Sequence, residues 1–436
     1  MNINICKHWH TSRLALLFSE NTQKNNLFSE THALQFKYGS LVAKKQYTLT
    51  DDLIDTYKKY TIIQPGDIIV NGLNLNYDFV TQRVALSEHK GIITSAYICL
   101  RPRKDVSAKF YTYYLKALDS IKAFNGMGTG IRLTLSYDLI KNMSLPVPPR
   151  DEQDQIVRYL DWQVSKINRL IAAKRKEIEL LNEQFSAVIN NAVSGYDSSV
   201  PKHDSGISLL GQIPQGWHVR PFSKIATVKS NLVDPALYKD MQQISPASIE
   251  KNTARILELC TVEQAGVSSP NHRFYKGQII YSKIRPRLNK VIIAPFDGLC
   301  SADMYPIETV LNTEYLLFYL LSSSYLQQLS VTANRVKMPK INQEELGATL
   351  VLIPPEQEQR EIVATIKSKC SKIQLLIEKI KLQIDAASDL RTRLISDVVT
   401  GQIDVRGIEV PDYEHYDEAS ENATEESSDS DYDTEE

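Results

Sequence analysis

Two short segments of this chain concentrate side chains suited to holding a polyanion. Lys283-Ile-Arg285-Pro-Arg287, continued by Asn289 and Lys290, follows the apolar run Gly277-Gln-Ile-Ile280, and its proline argues for a loop rather than mid-strand. Asn334-Arg335-Val-Lys337-Met-Pro-Lys340 forms a second cluster. Cations neutralise phosphates, whereas arginine offers a bidentate fork to guanine and asparagine one to adenine. A lone cation is ordinarily a solvated surface group, and it is the clustering that points to nucleic acid. An internal repeat, described below, adds Asn74, Asn76 and Arg83 after Gly66-Asp-Ile-Ile-Val70, and Arg132 within Gly128-Thr-Gly-Ile-Arg-Leu-Thr134. Arg101 and Arg103 flank Pro102 nearby. These residues are the expected DNA contacts.

Signals for catalysis are weak. Phe124-Asn-Gly126-Met-Gly128-Thr-Gly130 resembles the glycine loop of a methyl-donor site, but such a loop follows a buried strand and opens a helix. Here the preceding residues have helical character, and 206 residues on the glycines become Thr332, Asn334 and Val336. No phosphate loop, nucleophile elbow or Asn-Pro-Pro-Tyr box is found. Five scattered cysteines without a CxxC pair, and eight histidines without an HExxH or HxH grouping, point to no metal, cofactor or disulfide framework. That cysteine usage, with no signal-peptide pattern and no apolar window of membrane-spanning length, suggests a soluble cytoplasmic protein.

The net charge of −2 hides a segregation. Residues 412–436 hold twelve acidic side chains and no Lys or Arg; elsewhere 40 acids face 50 Lys and Arg, an excess of ten positive charges that suits a polyanionic partner.

The chain is a tandem duplication. Leu145-Pro-Val-Pro-Pro-Arg-Asp-Glu-Gln153 matches Val351-Leu-Ile-Pro-Pro-Glu-Gln-Glu-Gln359 at an offset of 206 residues, and Val193-Ser-Gly195 matches Val399-Thr-Gly401. Trp9 falls on Trp217 at an offset of 208, although the first copy lacks any other counterpart of Gly211-Gln-Ile-Pro-Gln-Gly-Trp217. Each Pro-Pro predicts a helix start with acids in its first turn. Positions 157, 160, 164, 167, 171, 174, 178, 181, 185, 188 and 192, and the same positions plus 206, are apolar except at Lys174 and Arg391. A strict 3,4 spacing of this kind is a coiled-coil seam. Its two polar members are read as long side chains snorkelling out of the interface rather than as register pins. Gly195 and Gly401 end the helices.

This combination resembles the specificity subunits of type I restriction-modification systems. The resemblance covers roughly residues 9 to 406 and is most specific over 145–195, 351–407 and 277–290. It implies a mixed α/β (α+β) fold: two tandem-duplicated target-recognition domains joined by two long antiparallel helices that form a coiled coil. The corresponding division is a first recognition domain at 1–147, a central helix at 148–195, a second recognition domain at 196–352, and a distal helix and conserved segment at 353–406; residues 407–436 are not part of the family pattern and, with too little apolar surface to fold, are expected to form an acidic, disordered tail. It implies a non-catalytic subunit that reads a split, asymmetric target in double-stranded DNA, with a spacer set by the helices. The implied partners are methyltransferase (modification) subunits, expected to be two, and restriction/translocase subunits joined through them. The alternative is a coiled-coil scaffold that binds proteins rather than DNA.

Overall fold

The computed structural model describes residues 6, 8–37, 39–44, 48–75, 82–130, 133–333 and 340–416. It divides into two compact units, Met1–Lys176 with Lys381–Glu436, and Glu177–Ile380.

In the first unit an antiparallel sheet has the order Phe18–Glu20, Ile98–Pro102, Ile68–Val70, Val84–Leu86. Ile68, Ile69 and Val70 are all buried, because both faces of this central strand are covered. The helix Ala108–Ser120 packs its tyrosine-rich face into the same core, and Ser107 caps its start by accepting from the Phe110 N–H. In the second unit the equivalent sheet runs Ala226–Val228, Met304–Thr309, Ile279–Ser282, Val291–Ile293, and the equivalent helix is Thr313–Leu321, capped by Asn312. A second, five-stranded sheet in this unit contains one parallel pair, Gln242–Ile244 with Gly298–Cys300.

The duplication reaches individual hydrogen bonds. His10–Arg13 pairs antiparallel with Ser144–Val147, and His218–Pro221 with Leu350–Ile353. The Tyr111 hydroxyl donates to the Pro146 carbonyl at 2.9 Å and that of Tyr315 to the Leu352 carbonyl at 2.8 Å. The glutamine five residues after the first proline of each pair is buried. Gln153 Nε2 donates to the Pro148 carbonyl at 2.9 Å, and its Oε1 accepts from the N–H of Ser107 at 3.2 Å. Gln359 does the same with Pro354 at 2.9 Å and Asn312 at 3.0 Å. One carboxamide thus holds the start of a long helix against the N-cap of a domain helix.

The long helices are Arg150–Val193 and Glu356–Val399, each of 44 residues and about 66 Å long at ~1.5 Å per residue. They pack together and run antiparallel. In the first unit Leu160 shares a core with Val398 and Val399; in the second, Phe185 and Ile189 share one with Val363 and Ile366. Every seam position is buried or half-buried, and toward the helix ends the stripe widens to take in Ile156, Ile189 and Val193. Arg391 departs from the snorkelling expectation: its guanidinium donates across to Asn168 Oδ1 on the facing helix at 2.6 Å. Lys174 is half-buried.

Both helices end on a left-handed glycine, Gly195 at φ +69° and Gly401 at φ +73°. The next N–H reaches back five residues, Tyr196 to Asn191 at 3.0 Å and Gln402 to Asp397 at 2.8 Å, the Schellman closure. A tryptophan seats each glycine. A Cβ on Gly195 would meet Pro214 and Trp217, and one on Gly401 would meet Cys6 and Trp9. Cys6 and Trp9 therefore occupy the places of Pro214 and Trp217, supplying the entry to the first domain that had no counterpart in sequence.

The tail expected at 407–436 lies outside the described residues from 417 onward. Residues 408–416 are not free but lie along the first long helix: Gln155 donates to the Ile408 carbonyl at 2.6 Å, and Ser165 Oγ accepts from the Tyr416 N–H at 2.7 Å. Among the described residues no helix is long and apolar enough to cross a membrane.

Replacing Gln153 or Gln359 by alanine strands a buried N–H and a buried carbonyl. Urea melts of either variant are expected to show a loss of about 2 to 4 kcal/mol at unchanged m-value, whereas alanine at the exposed Gln357 changes stability by less than about 0.5 kcal/mol.

Candidate nucleic-acid interface

The basic loop of the second unit leaves the strand Ile279–Ser282 and returns into Val291–Ile293. Arg285 (φ +45°) and Asn289 (φ +44°) take left-handed conformations on either side of the short turn Pro286–Leu288. These two reversals fold the loop tightly and leave Arg285 and Arg287 exposed. Asn289 is only 1% exposed, and its Nδ2 donates to the Leu320 carbonyl at 3.0 Å. Lys283 donates to the Ala302 carbonyl at 2.7 Å, and Lys290 to the Pro246 carbonyl at 2.7 Å. Burial, and then the neighbouring Arg285 charge, push the Lys290 pKa below its usual value.

The fold brings Lys340, the last residue of the second basic cluster, against the first. Ile284 forms an antiparallel bridge with Lys340, and the Ile341 N–H donates to the Lys283 carbonyl at 2.9 Å. Asp303 lies between the cations, 3.7 Å from Lys283 and 3.4 Å from Lys340. Asn334, Arg335 and Lys337 lie outside the described residues.

The first unit repeats this arrangement with different side chains. The loop after Ile68–Val70 packs on the segment that leads toward the long helix: the Leu75 N–H donates to the Leu133 carbonyl at 3.1 Å and the Leu135 N–H to the Gly72 carbonyl at 2.8 Å. A Cβ on Gly72 would sit 2.6 Å from the Leu135 carbonyl oxygen, so the approach demands glycine. Asn74 is exposed at φ +51°; Asn76 and Arg132 lie outside the described residues.

Arg83, expected among the DNA contacts, is turned inward. It is 1% exposed, and its guanidinium donates to the carbonyls of Asn71, Leu73 and Asn74 at 3.0, 2.8 and 3.3 Å. Asn289 takes the same kind of role in the second unit. Arg101 makes a two-pronged ion pair with the buried Asp67, at 2.8 and 2.7 Å, and Arg103 donates to the Ala15 carbonyl at 3.3 Å. What remains outward on these loops is Asn74 in the first unit and Arg285, Arg287 and Lys340 in the second.

The glycine run at 126–130 follows the helix Ala108–Ser120 rather than a strand, and Gly128 lies tight against Leu75 and Leu133. Gly128 thus serves loop packing, and Gly130, at φ +80°, serves a turn. Sequence reasoning passed over Arg273, which lies 5.2 Å from the ring centres of both Tyr238 and Tyr275 in the second unit. The interleaving in His272-Arg273-Phe274-Tyr275 was the available signal.

A family model described as the type I restriction modification DNA specificity domain matches twice, over residues 7–180 and 214–386. The type I restriction enzyme EcoDI specificity subunit of Escherichia coli is 30% identical over 295 residues, spanning 64% of this chain and 66% of the relative. The MjaVIII specificity subunit of Methanocaldococcus jannaschii is 23% identical over 391 residues, 83% of this chain and 85% of the relative. A chain from a solved structure reported on the assembly and conformational transition of the type I R-M system superposes with a TM-score of 0.59 at 14% identity, covering 92% of this chain and 100% of that one.

Alanine at Arg83 is expected to destabilise the chain by roughly 2 to 3 kcal/mol, the cost of stranding carbonyls that accept from a charged group. Hydrogen exchange should then quicken across 71–75 and 133–135. Alanine at the exposed Arg285 should shift stability by less than about 0.5 kcal/mol.

Proposed function

The chain belongs to the specificity subunits of type I restriction-modification systems, and on that footing we propose that each recognition domain reads one half of a split, asymmetric target in double-stranded DNA. Subunits of this kind carry recognition rather than catalysis; they bind DNA and assemble with the other subunits of the complex. The observation that carries the proposal is the duplicated loop pair: in both domains the loop after the Ile-Ile strand is hydrogen-bonded to the segment entering the long helix, while the residues it turns outward differ. A shared scaffold presenting different side chains suits two half-sites of different sequence. Arg285, Arg287 and Lys340, with Asn334, Arg335 and Lys337, are the contacts proposed for the second half-site, and Asn74, Asn76 and Arg132 for the first. Arg83, Asn289, Lys283 and Lys290 hold those loops in shape.

Two methyltransferase subunits are proposed to dock on the outward faces of the long helices, where Leu170, Leu382 and Leu390 in the first unit and Leu180, Leu375 and Leu376 in the second are exposed. Restriction subunits would join through them, in the cytoplasm, where the DNA is. The long helices fix the spacing between half-sites. The scaffold alternative is set aside, because the family match covers both regions that precede the helices as well as the helices themselves.

Sequencing of methylated bases in cells carrying the partner methyltransferase subunit, with and without this chain, is expected to show a chain-dependent split motif. Adding a heptad to both helices should change the spacer and leave both half-sites as they were; a change in the bases read at constant spacing would refute the assignment of spacing to the helices. Alanine at Arg285 and Arg287 together should weaken DNA binding by the assembled complex and flatten its log K against log salt plot by up to about two.

A further inference from the structure

The two halves of the repeat part company at the entry to the first domain. In the second copy the Trp217 indole N–H donates to Glu358 Oε2 at 2.9 Å. In the first copy the equivalent carboxylate, Glu152, is taken by His8, whose Nε2 lies 3.2 Å from Oε2. The other ring nitrogen, His8 Nδ1, lies 3.0 Å from Cys6 Sγ. The Trp9 indole N–H is left buried with no partner among the described residues, its ring edge-on to His8 at 6.0 Å. Cys6 stands where the second copy has a proline against the helix-ending glycine, and its N–H donates to the Thr400 carbonyl at 2.9 Å.

An ionised carboxylate only accepts, so Glu152 fixes the His8 proton on Nε2 and leaves Nδ1 as the acceptor facing the thiol. A thiol, a base and a carboxylate that orients the base form the arrangement that activates a nucleophile. Arg406 lies 3.9 Å from Glu152 and is itself held by Asp404 at 2.9 and 2.6 Å. The other cysteines lack these features. Burial pushes Cys99 and Cys300 up to about 12 and Cys370 to about 11. Cys260 is half-buried, like Cys6, but among the described residues no histidine is hydrogen-bonded to it. His8 itself is 43% exposed, so solvent reaches the cluster.

We propose that Cys6 is a reactive thiol, activated by His8 and Glu152, and a site of S-thiolation by low-molecular-weight disulfides. Cys6 gives its proton to His8 Nδ1, and the thiolate attacks one sulfur of the disulfide. A new S–S bond to Cys6 forms as the old one breaks; the departing half leaves as a thiolate and takes up the proton. Cys6 is oxidised and the released thiol is the reduced product, so glutathione disulfide is the whole co-reactant. The adduct would lie where the first recognition domain meets the end of the second long helix.

The test exposes the full folded chain to glutathione disulfide and follows each cysteine by peptide mass spectrometry. Cys6 is expected to react at least about tenfold faster than Cys260 near pH 7, with Cys99, Cys300 and Cys370 silent. His8→Ala is expected to remove that advantage and leave the Cys260 rate unchanged, and Glu152→Gln to reduce it. A Cys6 rate no greater than that of Cys260, or one indifferent to His8→Ala in a chain whose buried cysteines stay silent, overturns the proposal. Should His8→Ala unfold the chain, reaction at Cys99 and Cys300 will report it, and the unsubstituted chain's comparison of Cys6 with Cys260 then decides alone.

Discussion

Two buried carboxamides tie each recognition domain to the root of a long helix. Gln153 and Gln359 each satisfy a proline carbonyl that the helix ladder cannot reach and, from the same side chain, an N–H at the cap of a domain helix. Each uses both its nitrogen and its oxygen in a dry setting, where a missing partner is expensive. The tyrosine hydroxyl on the preceding strand, the antiparallel pair that closes each domain and the direction in which each long helix departs all converge on this junction. A helix 44 residues long can serve as a spacer only if its root cannot pivot.

The recognition loops show a division of labour between charge used inward and charge presented outward. Arg83 and Lys290 occupy equivalent places beside the last sheet strand, and both spend their cations on backbone carbonyls. Tight loops expose many carbonyls and few N–H groups to close them, and a long cationic side chain reaching from a strand supplies the missing donors. The outward positions are thereby free to differ between the copies without loss of the fold.

Much of this architecture was legible in the sequence because it rests on periodicity and repetition. The 3,4 seams, the helix starts after Pro-Pro and the helix-ending glycines are local patterns with local causes, and they stand as read. The family was legible because its most specific segments are those same helices. The sorting of cations into exposed and buried was not legible. Arg83 and Arg285 look alike in sequence, and only the packing of a neighbouring loop or strand decides which of them water reaches. Arg391 was misjudged for a similar reason: its partner, Asn168, lies 223 residues away in sequence. The entry to the first domain escaped because Cys6 shares no residue type with Pro214, though each packs against its helix-ending glycine.

The seating of Gly401 on Trp9 and Cys6 has a consequence for the order in which the molecule is made. The first compact unit draws its core from residues 9–160 and again from 394–408, including Val398, Val399 and Val405. A ribosome delivers one of these parts before the second unit and the other after it. The second unit, by contrast, is one continuous stretch that can close while the chain is still emerging. The domain begun first is therefore completed only after the whole second unit has been made, a period in which unfinished apolar surface needs protection from other nascent chains.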